Sequence, residues 1–248
     1  MFAIFKKELR SYFINAIGYV YVGVFLAAAA LVCCYTTLVS KSYDTGLYFT
    51  VMNYAFIVLI PLLTMKLFSE EKKLRTEQLL MTAPVSVWGM VLGKFFAAFT
   101  LFLGTVIVSC VNFFPLYSYG NKESLDNPYA VSHIGPVNAE ILTSLLGIIL
   151  IGAAFVAIGL FISALTENQL SAAVITIAVL AGTVVLSMAN QYINVYAVRF
   201  VLDWICVLSR YANFSYGMFD WSALLYYVSI TAVFLFMTIR VYDRRRWN

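Results

Sequence analysis

The amino-acid sequence predicts an all-α membrane protein that crosses the bilayer six times. Of its 248 residues, 62% are hydrophobic and only 11% are charged, whereas soluble domains carry about 25% charged residues. The mean hydropathy is +0.88, and the apolar residues fall in runs of the length that a membrane-spanning helix needs. Short polar segments separate these runs and leave no room for a soluble domain. We therefore expect residues 1–248 to form a single transmembrane domain.

The six spans are expected at about residues 17–39, 49–68, 87–116, 141–165, 170–189 and 222–239. Pro61 lies inside the second span and is expected to kink it. The third span is longer than a bilayer requires, so we expect it to tilt or to project from the membrane. A tight polar turn, Thr166–Gln169, joins the fourth span to the fifth.

Residues 1–16 have the pattern of an amphipathic helix. Apolar side chains recur at spacings of three and four, and polar side chains take the other side. The apolar side holds Phe2, Phe5, Leu9, Tyr12 and Phe13, and the polar side holds Lys6, Lys7, Glu8, Arg10 and Asn15. We expect this helix to lie in the membrane interface, where its basic residues meet anionic headgroups. A first helix that is simply solvated is the alternative.

The stretch Ser69–Lys94 is the longest strongly charged segment of the chain. Six of its first nine residues are charged, so that part cannot lie in hydrocarbon. Pro84 prevents a helix from continuing, Ser86 is placed to cap the next helix, and Gly89 and Gly93 predict a close helix contact. An apolar side on the short helix would be formed by Leu74, Leu79, Leu80 and Met81. This pattern favours contact with a partner at the membrane surface, and a solvated loop is the alternative.

The positive charges are distributed unequally between the two sides of the membrane. Of the sixteen lysines and arginines, twelve lie on the side that holds both termini, segment 66–94 and the 166–169 turn, and four lie on the other side. The positive-inside rule therefore places both termini and the charged stretch in the cytoplasm.

The region 191–220 is expected on the external side. Its apolar part, Val198–Leu208, is too short to cross a membrane and carries Arg199 and Asp203 one helical turn apart. We expect a re-entrant or interfacial helix at about 195–210. An aromatic belt at the interface is predicted to follow, formed by Tyr211, Phe214, Tyr216, Phe219 and Trp221.

The sequence contains no pattern typical of a catalytic or metal site. His133 is the only histidine and lies in a loop, and the four cysteines form no CxxC or Cys/His motif. Gly89–Lys94 lacks the spacing and the following Ser or Thr of a phosphate-binding loop. We therefore expect no catalytic residue, no metal, no bound cofactor and no nucleic-acid partner. A non-transporting membrane scaffold or a membrane-embedded enzyme subunit remains an alternative to a transport function.

Four stretches carry a resemblance to a known family. They are Phe5–Leu9, then Glu70–Lys72 with Thr76–Ser86 and Leu92–Lys94, then Ser163–Gln169, and finally Phe214, Gly217 and Arg245–Trp247. Together they resemble the membrane subunit of bacterial ABC-2 type exporters, in the subgroup of gliding-motility and nitrous-oxide-cluster permeases. The second stretch is the most specific. The family often has glycine before that threonine, where this chain has Arg75.

The resemblance implies a non-catalytic permease subunit in a bacterial inner (plasma) membrane. Two such subunits, as a homodimer or a heterodimer, would form the pathway, and separate ABC ATPase subunits would bind ATP and Mg. An extracytoplasmic accessory membrane protein is a further partner that the gliding-motility systems suggest. The transported substrate does not follow from the resemblance.

The resemblance also implies a role for segment 69–88, because the family's coupling helix lies between the second and third spans and enters a cleft on the ATPase. If this role is transferred to the matching positions of the present sequence, the ATPase-coupling residues would be Glu70, Glu71, Thr76, Glu77, Leu79, Leu80, Met81, Thr82 and Pro84. The interfacial helix beside them would contribute Phe5, Lys6, Lys7, Leu9 and Arg10.

Overall fold

A computed structural model describes residues 1–39, 45–77, 86–119, 136–190 and 206–247. Within these ranges the chain is helical and contains no β-strand. Six of the described helices are long and apolar enough to cross a membrane. The protein is therefore an all-α, multi-pass membrane protein, as the composition predicted.

The helices are numbered here in chain order. They are α1 Phe2–Ile14, α2 Ala16–Cys33, α3 Thr45–Thr64, α4 Ser69–Lys73, α5 Val87–Ser109, α6 Asn138–Leu165, α7 Gln169–Asn190, α8 Ala212–Ser215 and α9 Trp221–Trp247. A π-helical segment, Cys34–Val39, continues α2, and 3₁₀ turns cover Cys110–Phe113 and Ser209–Tyr211. The long helices α2, α3, α5, α6, α7 and α9 overlap the six predicted spans.

Local sequence signals explain several helix ends. Ser86 caps α5 as predicted, because its hydroxyl oxygen accepts a hydrogen bond from the Gly89 N–H at 3.2 Å. Asn15 has an extended backbone and separates α1 from α2. The predicted turn between the fourth and fifth spans is confirmed, because α6 ends at Leu165 and α7 begins at Gln169.

Two spans differ in extent from the prediction. The second begins at Thr45 rather than at residue 49, and Pro61 lies in its last turn. The last span was expected to end at residue 239, but α9 continues to Trp247 through Arg244–Arg246. Arginine is a good helix former, and positive charge near a helix C-terminus interacts favourably with the helix dipole, so the helix extends beyond its apolar part.

Helix α6 lies at the centre of the bundle. In its most apolar window 67% of the residues are buried, compared with 28% for the first and fifth spans. The rings of Phe25, Phe56 and Phe102 pack against one another with centroids 5.2–6.3 Å apart and join α2, α3 and α5. These contacts fix the relative positions of the helices that carry the charged side chains described below.

The prediction of an aromatic belt before the last span was wrong for two of its five residues. Tyr211 and Phe214 are buried, and the Ser144 hydroxyl on α6 donates a hydrogen bond to the Phe214 carbonyl at 3.2 Å. Gly147 leaves room for these rings, since a Cβ there would lie 2.8 Å from Tyr211. The other three aromatic residues are exposed, namely Tyr216, Phe219 and Trp221. The predicted helix at about 195–210, with Arg199 and Asp203, lies largely outside the described residues.

Candidate functional site

Four charged side chains join α1, α4 and α5 at the end of the bundle to which the last turns of α9 also belong. This ion cluster consists of Lys7, Glu8, Glu71 and Lys94. The Nζ of Lys94 lies 2.9 Å from Oε1 of Glu8 and 3.0 Å from Oε1 of Glu71. The Nζ of Lys7 lies 3.3 Å and 3.0 Å from the same two carboxylates. Each carboxylate therefore contacts two ammonium groups.

Lys94 is the buried centre of the ion cluster. It has no exposed surface, and Glu8 is only 6% exposed. A lysine ammonium group has three N–H donors. The Glu8 carboxylate accepts a hydrogen bond at 2.9 Å and the Leu67 carbonyl accepts one at 2.6 Å, and Glu71 adds an ion pair at 3.0 Å. Because a buried charge is tolerated only when it is paired and hydrogen-bonded, these three contacts explain why Lys94 can lie inside the protein.

The surroundings of Glu8 and Lys7 favour the charged form of each group. Burial alone would raise the pKa of Glu8, but the ammonium groups of Lys94 and Lys7 lower it below its usual value. Burial likewise opposes the charge on Lys7, but the carboxylates of Glu71 and Glu8 raise its pKa above the usual value. Both groups are therefore ionised at neutral pH.

Close packing of α1 on α5 brings Glu8 to Lys94. A Cβ at Gly93 would lie 3.1 Å from the Met1 carbonyl oxygen and 3.2 Å from the Ile4 side chain, so a larger residue would require α1 to shift away by a few tenths of an ångström. The close contact predicted at this glycine is therefore present. On α1, the buried Tyr12 hydroxyl also donates a hydrogen bond to the Leu63 carbonyl at 2.8 Å.

The predicted division of α1 into two faces was wrong for Glu8. The sequence placed Glu8 on the polar side with the lysines, yet it is buried together with Tyr12, because Lys94 supplies a charge partner inside the protein. Phe2 and Phe13, expected on the apolar side, are 77% and 44% exposed. The surface that α1 turns to the bundle is therefore partly charged.

Ser163, at the end of α6, holds the turn that leads from α3 into α4. Its hydroxyl oxygen accepts hydrogen bonds from the N–H groups of Phe68 and Ser69 at 3.1 and 3.2 Å, and its hydroxyl donates to the Met65 carbonyl at 3.3 Å. The Lys72 ammonium group donates a hydrogen bond to the backbone carbonyl of the next residue of α6, Ala164. Residues 69–77, called the charged segment below, are thus attached to the central helix α6.

The end of α9 contacts the same segment from another side. The rings of Phe68 and Tyr242 stack with centroids 4.6 Å apart. Arg245 and Glu77 form an ion pair at 3.3 Å, and both side chains are partly exposed. The buried ring stacking is the stronger of the two contacts, because exposed ion pairs contribute little to stability.

The backbone after α4 forms a Schellman motif with Arg75 in the left-handed conformation. The N–H of Thr76 donates to the Glu71 carbonyl at 2.9 Å, and the N–H of Arg75 donates to the Lys72 carbonyl at 3.0 Å. Arg75 has φ +55°, and no other described non-glycine residue has positive φ. Helices prefer glycine at this position, which is the position where the ABC-2 subgroup often has glycine.

The structure describes only part of the predicted coupling site. Glu71 belongs to the ion cluster, and Glu70, Thr76 and Glu77 lie beside it on the charged segment. Of the residues predicted on α1, Lys7 joins the cluster, Lys6 and Arg10 are exposed, and Phe5 and Leu9 are half-buried. Outside the described residues lie Leu79, Leu80, Met81, Thr82 and Pro84.

Sequence reasoning missed the structural roles of Lys94 and Ser163. The sequence predicts Lys94 as a cytoplasmic positive charge and as part of the family-like stretch Leu92–Lys94, but it predicts no buried role, although Lys94 is the eighth residue of an apolar helix. A lysine at such a position indicates a buried carboxylate partner, and that signal could have been used. No sequence signal identifies Ser163 as the acceptor for Phe68 and Ser69, because more than ninety residues separate them.

The geometry defines the class of protein, a multi-pass helical membrane protein in which one charged segment contacts four helices at one end of the bundle. Compared with protein-family models and with curated proteins, the chain gives no match.

Proposed function

We propose that this chain is the membrane subunit of an ABC-2 type exporter, which forms the substrate pathway as a dimer. Segment 69–88 would couple it to separate ATPase subunits, which bind ATP and Mg and carry out hydrolysis. The observation that carries this proposal is the attachment of the charged segment to four helices at once. Glu71 contacts α1 and α5, Ser69 contacts α6, and Glu77 contacts α9.

These attachments support a direct mechanical role for the segment. A partner that displaced residues 69–77 would pull on α5 through the Glu71–Lys94 pair and on α6 through Ser163. Protein interiors are close-packed and transmit strain, so the ends of both helices would move with the segment. ATP-driven closure of the ATPase pair is the movement that we assign to the partner.

The distribution of charge supports a cytoplasmic location for this end of the bundle. It carries the ion cluster and Arg244–Arg246, and basic residues accumulate on the cytoplasmic side. On α1, the exposed aromatic residues Phe2 and Phe13 accompany the exposed Lys6 and Arg10. This combination supports a position of α1 in the interface of the inner membrane.

The weak burial of α2 and α7 supports assembly with a second permease subunit. Only 28% of the most apolar window of each span is buried within the chain, half the value for α3 and α5. Lipid and a second copy or a homologous subunit would cover the remainder of these helices.

The proposal is tested by co-expression and co-purification with any ATP-binding-cassette protein that a neighbouring gene encodes. Leu80→Asp and Met81→Asp would place a charge on the predicted contact and are expected to abolish co-purification without reducing membrane insertion. Met218→Asp is the matched control, because Met218 is 57% exposed next to α8, at the end of the bundle opposite to the ion cluster. This variant is expected to retain the ATPase.

Undiminished ATPase binding by both aspartate variants would contradict the proposal. So would labelling of a cysteine at position 80 from the exterior, or ATP hydrolysis by the purified subunit alone.

A further inference from the structure

A polar cavity lies between α3, α7 and α8, at the end of the bundle opposite to the ion cluster. Its volume is about 400 Å³, which lies within the range of about 300–1,000 Å³ for small-ligand sites. Asn53 and Tyr211 line its buried part and are 1% and 3% exposed. Tyr54 and Tyr216 line its outer part and are 42% and 74% exposed. The cavity therefore has a buried polar interior and an aromatic opening.

The side chain of Asn53 makes no hydrogen bond of good geometry in the part of the chain that the structure describes, although the Tyr211 hydroxyl lies beside it. Both its Oδ1 and its Nδ2 are buried, and neither makes a hydrogen bond there. Most buried polar side chains in proteins have at least one such bond. Thr64 and Thr176 follow this rule through bonds to the Ile60 and Ala172 carbonyls. Several buried tyrosine hydroxyls of the described spans do not, but Asn53 differs from them because two of its polar atoms are unpaired. An external molecule in the cavity would satisfy the amide.

The chemistry of the lining indicates a neutral ligand. None of the described lining residues is charged, and the polar ones carry hydroxyl or amide groups, as Thr50 and Ser187 do. A charged ligand would lose hydration without gaining an opposite charge, which is costly in a buried site. Hydroxyl and amide groups instead exchange hydrogen bonds with ligand hydroxyls, and tyrosine rings pack against the apolar faces of a ring.

We propose that this cavity binds a neutral, hydroxyl-rich ligand of the size of a mono- or disaccharide, with Asn53 as its central hydrogen-bonding residue. The ligand would be a free sugar or the head group of a glycolipid, since both present the same hydroxyl groups. The proposal does not depend on ATPase coupling, because it rests on the cavity alone.

The test uses the full-length chain in lipid nanodiscs and saturation-transfer difference NMR. The neutral probes are methyl glucoside, methyl galactoside and maltose, and the charged comparators are glucose 6-phosphate and glucosamine. Saturable binding of at least one neutral probe is expected, with weaker binding of both comparators. Asn53→Leu is expected to weaken it roughly tenfold or more, because an apolar side chain cannot pair with ligand hydroxyls. Thr100→Val, which removes an exposed hydroxyl on α5, is the control.

A second measurement separates ligand binding from folding. Because the Asn53 amide bonds to no described residue, Asn53→Leu is expected to keep or raise the melting temperature of the unliganded protein. If this variant fails to fold, Ser187→Val tests ligand binding from another wall of the cavity, because Ser187 lines it from α7. Displacement of the bound sugar by monoglucosyl diacylglycerol in the nanodisc would identify a glycolipid head group, and no displacement would identify a free sugar.

The proposal would be overturned if none of the three neutral probes bound, or if Asn53→Leu and Ser187→Val both bound a probe as well as the unchanged protein. Tighter binding of a charged comparator would equally overturn it.

Discussion

The ammonium group of Lys94 lies 2.9 Å from a carboxylate oxygen of Glu8, although 86 positions separate the two residues in the chain. Lys94 lies near the start of α5, and Glu8 lies in the middle of α1. Removing α1 from the bundle would therefore leave Lys94 without one of its two charge partners. This relationship makes α1 an integral part of the bundle and connects it to the charged segment through Glu71.

Lys94→Met is expected to destabilise the protein strongly. The substitution leaves the buried Glu8 and the half-buried Glu71 with only the partly exposed Lys7 as a partner. Removing one partner of a buried ion pair costs about 3–5 kcal/mol of unfolding free energy. The measurement is the unfolding equilibrium of the purified protein in mixed micelles.

A double variant provides the control for this prediction. Glu8→Gln combined with Lys94→Met removes one of the carboxylates left without Lys94, so it is expected to be more stable than the sum of the two single effects predicts. Strictly additive losses would show that the two side chains do not interact and would contradict the ion cluster.

Lys66→Met is expected to have the opposite outcome from Lys94→Met. The Lys66 side chain is buried, yet its Nζ makes no hydrogen bond within the described residues and lies 4.7 Å from the centre of the Tyr12 ring. Methionine has a similar shape without the desolvation cost of a charge, so the unfolding free energy should stay the same or rise by about 1 kcal/mol. A loss of stability comparable to that of Lys94→Met would contradict this assignment.

The six spans could be predicted because hydrocarbon imposes a strong and local requirement on sequence. Each span must be a long apolar helix, and a polar segment such as Thr166–Gln169 must separate one span from the next. The Ser86 cap is equally local, since the hydroxyl and the N–H that it accepts from lie three residues apart. Signals of this kind are present within a short window of the chain.

The ion cluster could not be predicted in this way, because its contacts join distant segments. Periodicity assigned Glu8 to the polar side of α1, and only the presence of Lys94 on a neighbouring helix reverses that assignment. The same holds for Tyr211 and Phe214, whose aromatic character is typical of an interface but whose burial depends on Gly147 of α6. The sequence therefore shows that these residues are charged or aromatic, and tertiary packing determines which of them are buried.

The contribution of Glu8 to stability is expected to depend on pH. Its pKa in the folded protein lies below the usual value of 4.5 because of Lys94 and Lys7. A carboxylate with a lowered pKa stabilises the fold above its unfolded pKa, and this contribution is lost as the pH falls through the folded pKa. The stability difference between the unchanged protein and Glu8→Gln should therefore be constant near neutral pH and shrink below about pH 4.5.

The measurement is the unfolding midpoint of both proteins across this acidic range. A difference that stayed constant to the lowest pH would show that the pKa of Glu8 is the same in the folded and unfolded states, and would contradict its pairing with Lys94 and Lys7. Lys7 titrates in the opposite direction, since its raised pKa adds stability below 10.5 that is lost at higher pH. Because the Lys7 side chain is 56% exposed, solvent screening makes this second effect small.

Substitutions of Arg75 are expected to separate backbone strain from charge. At φ +55°, Arg75 occupies the Schellman position where glycine carries no Cβ penalty. Arg75→Gly should therefore preserve the unfolding free energy or raise it by up to about 1 kcal/mol, because relief of strain offsets the greater chain entropy of glycine. Arg75→Val should lower it by about 1–2 kcal/mol, because a β-branched residue fits the left-handed region poorly.

The matched control for Arg75→Val is Lys73→Val, because Lys73 is also exposed and positively charged but ends α4 in the helical conformation. That change removes the same charge from the same segment. In a helix, valine lowers the unfolding free energy by only about a few tenths of a kcal/mol relative to lysine, so the loss of stability should be much smaller. Equal losses for the two valine variants would show that charge rather than backbone geometry determines stability at this turn. A large loss for Arg75→Gly would show that the guanidinium group itself supports the segment, and would contradict the glycine-like role that we assign to position 75.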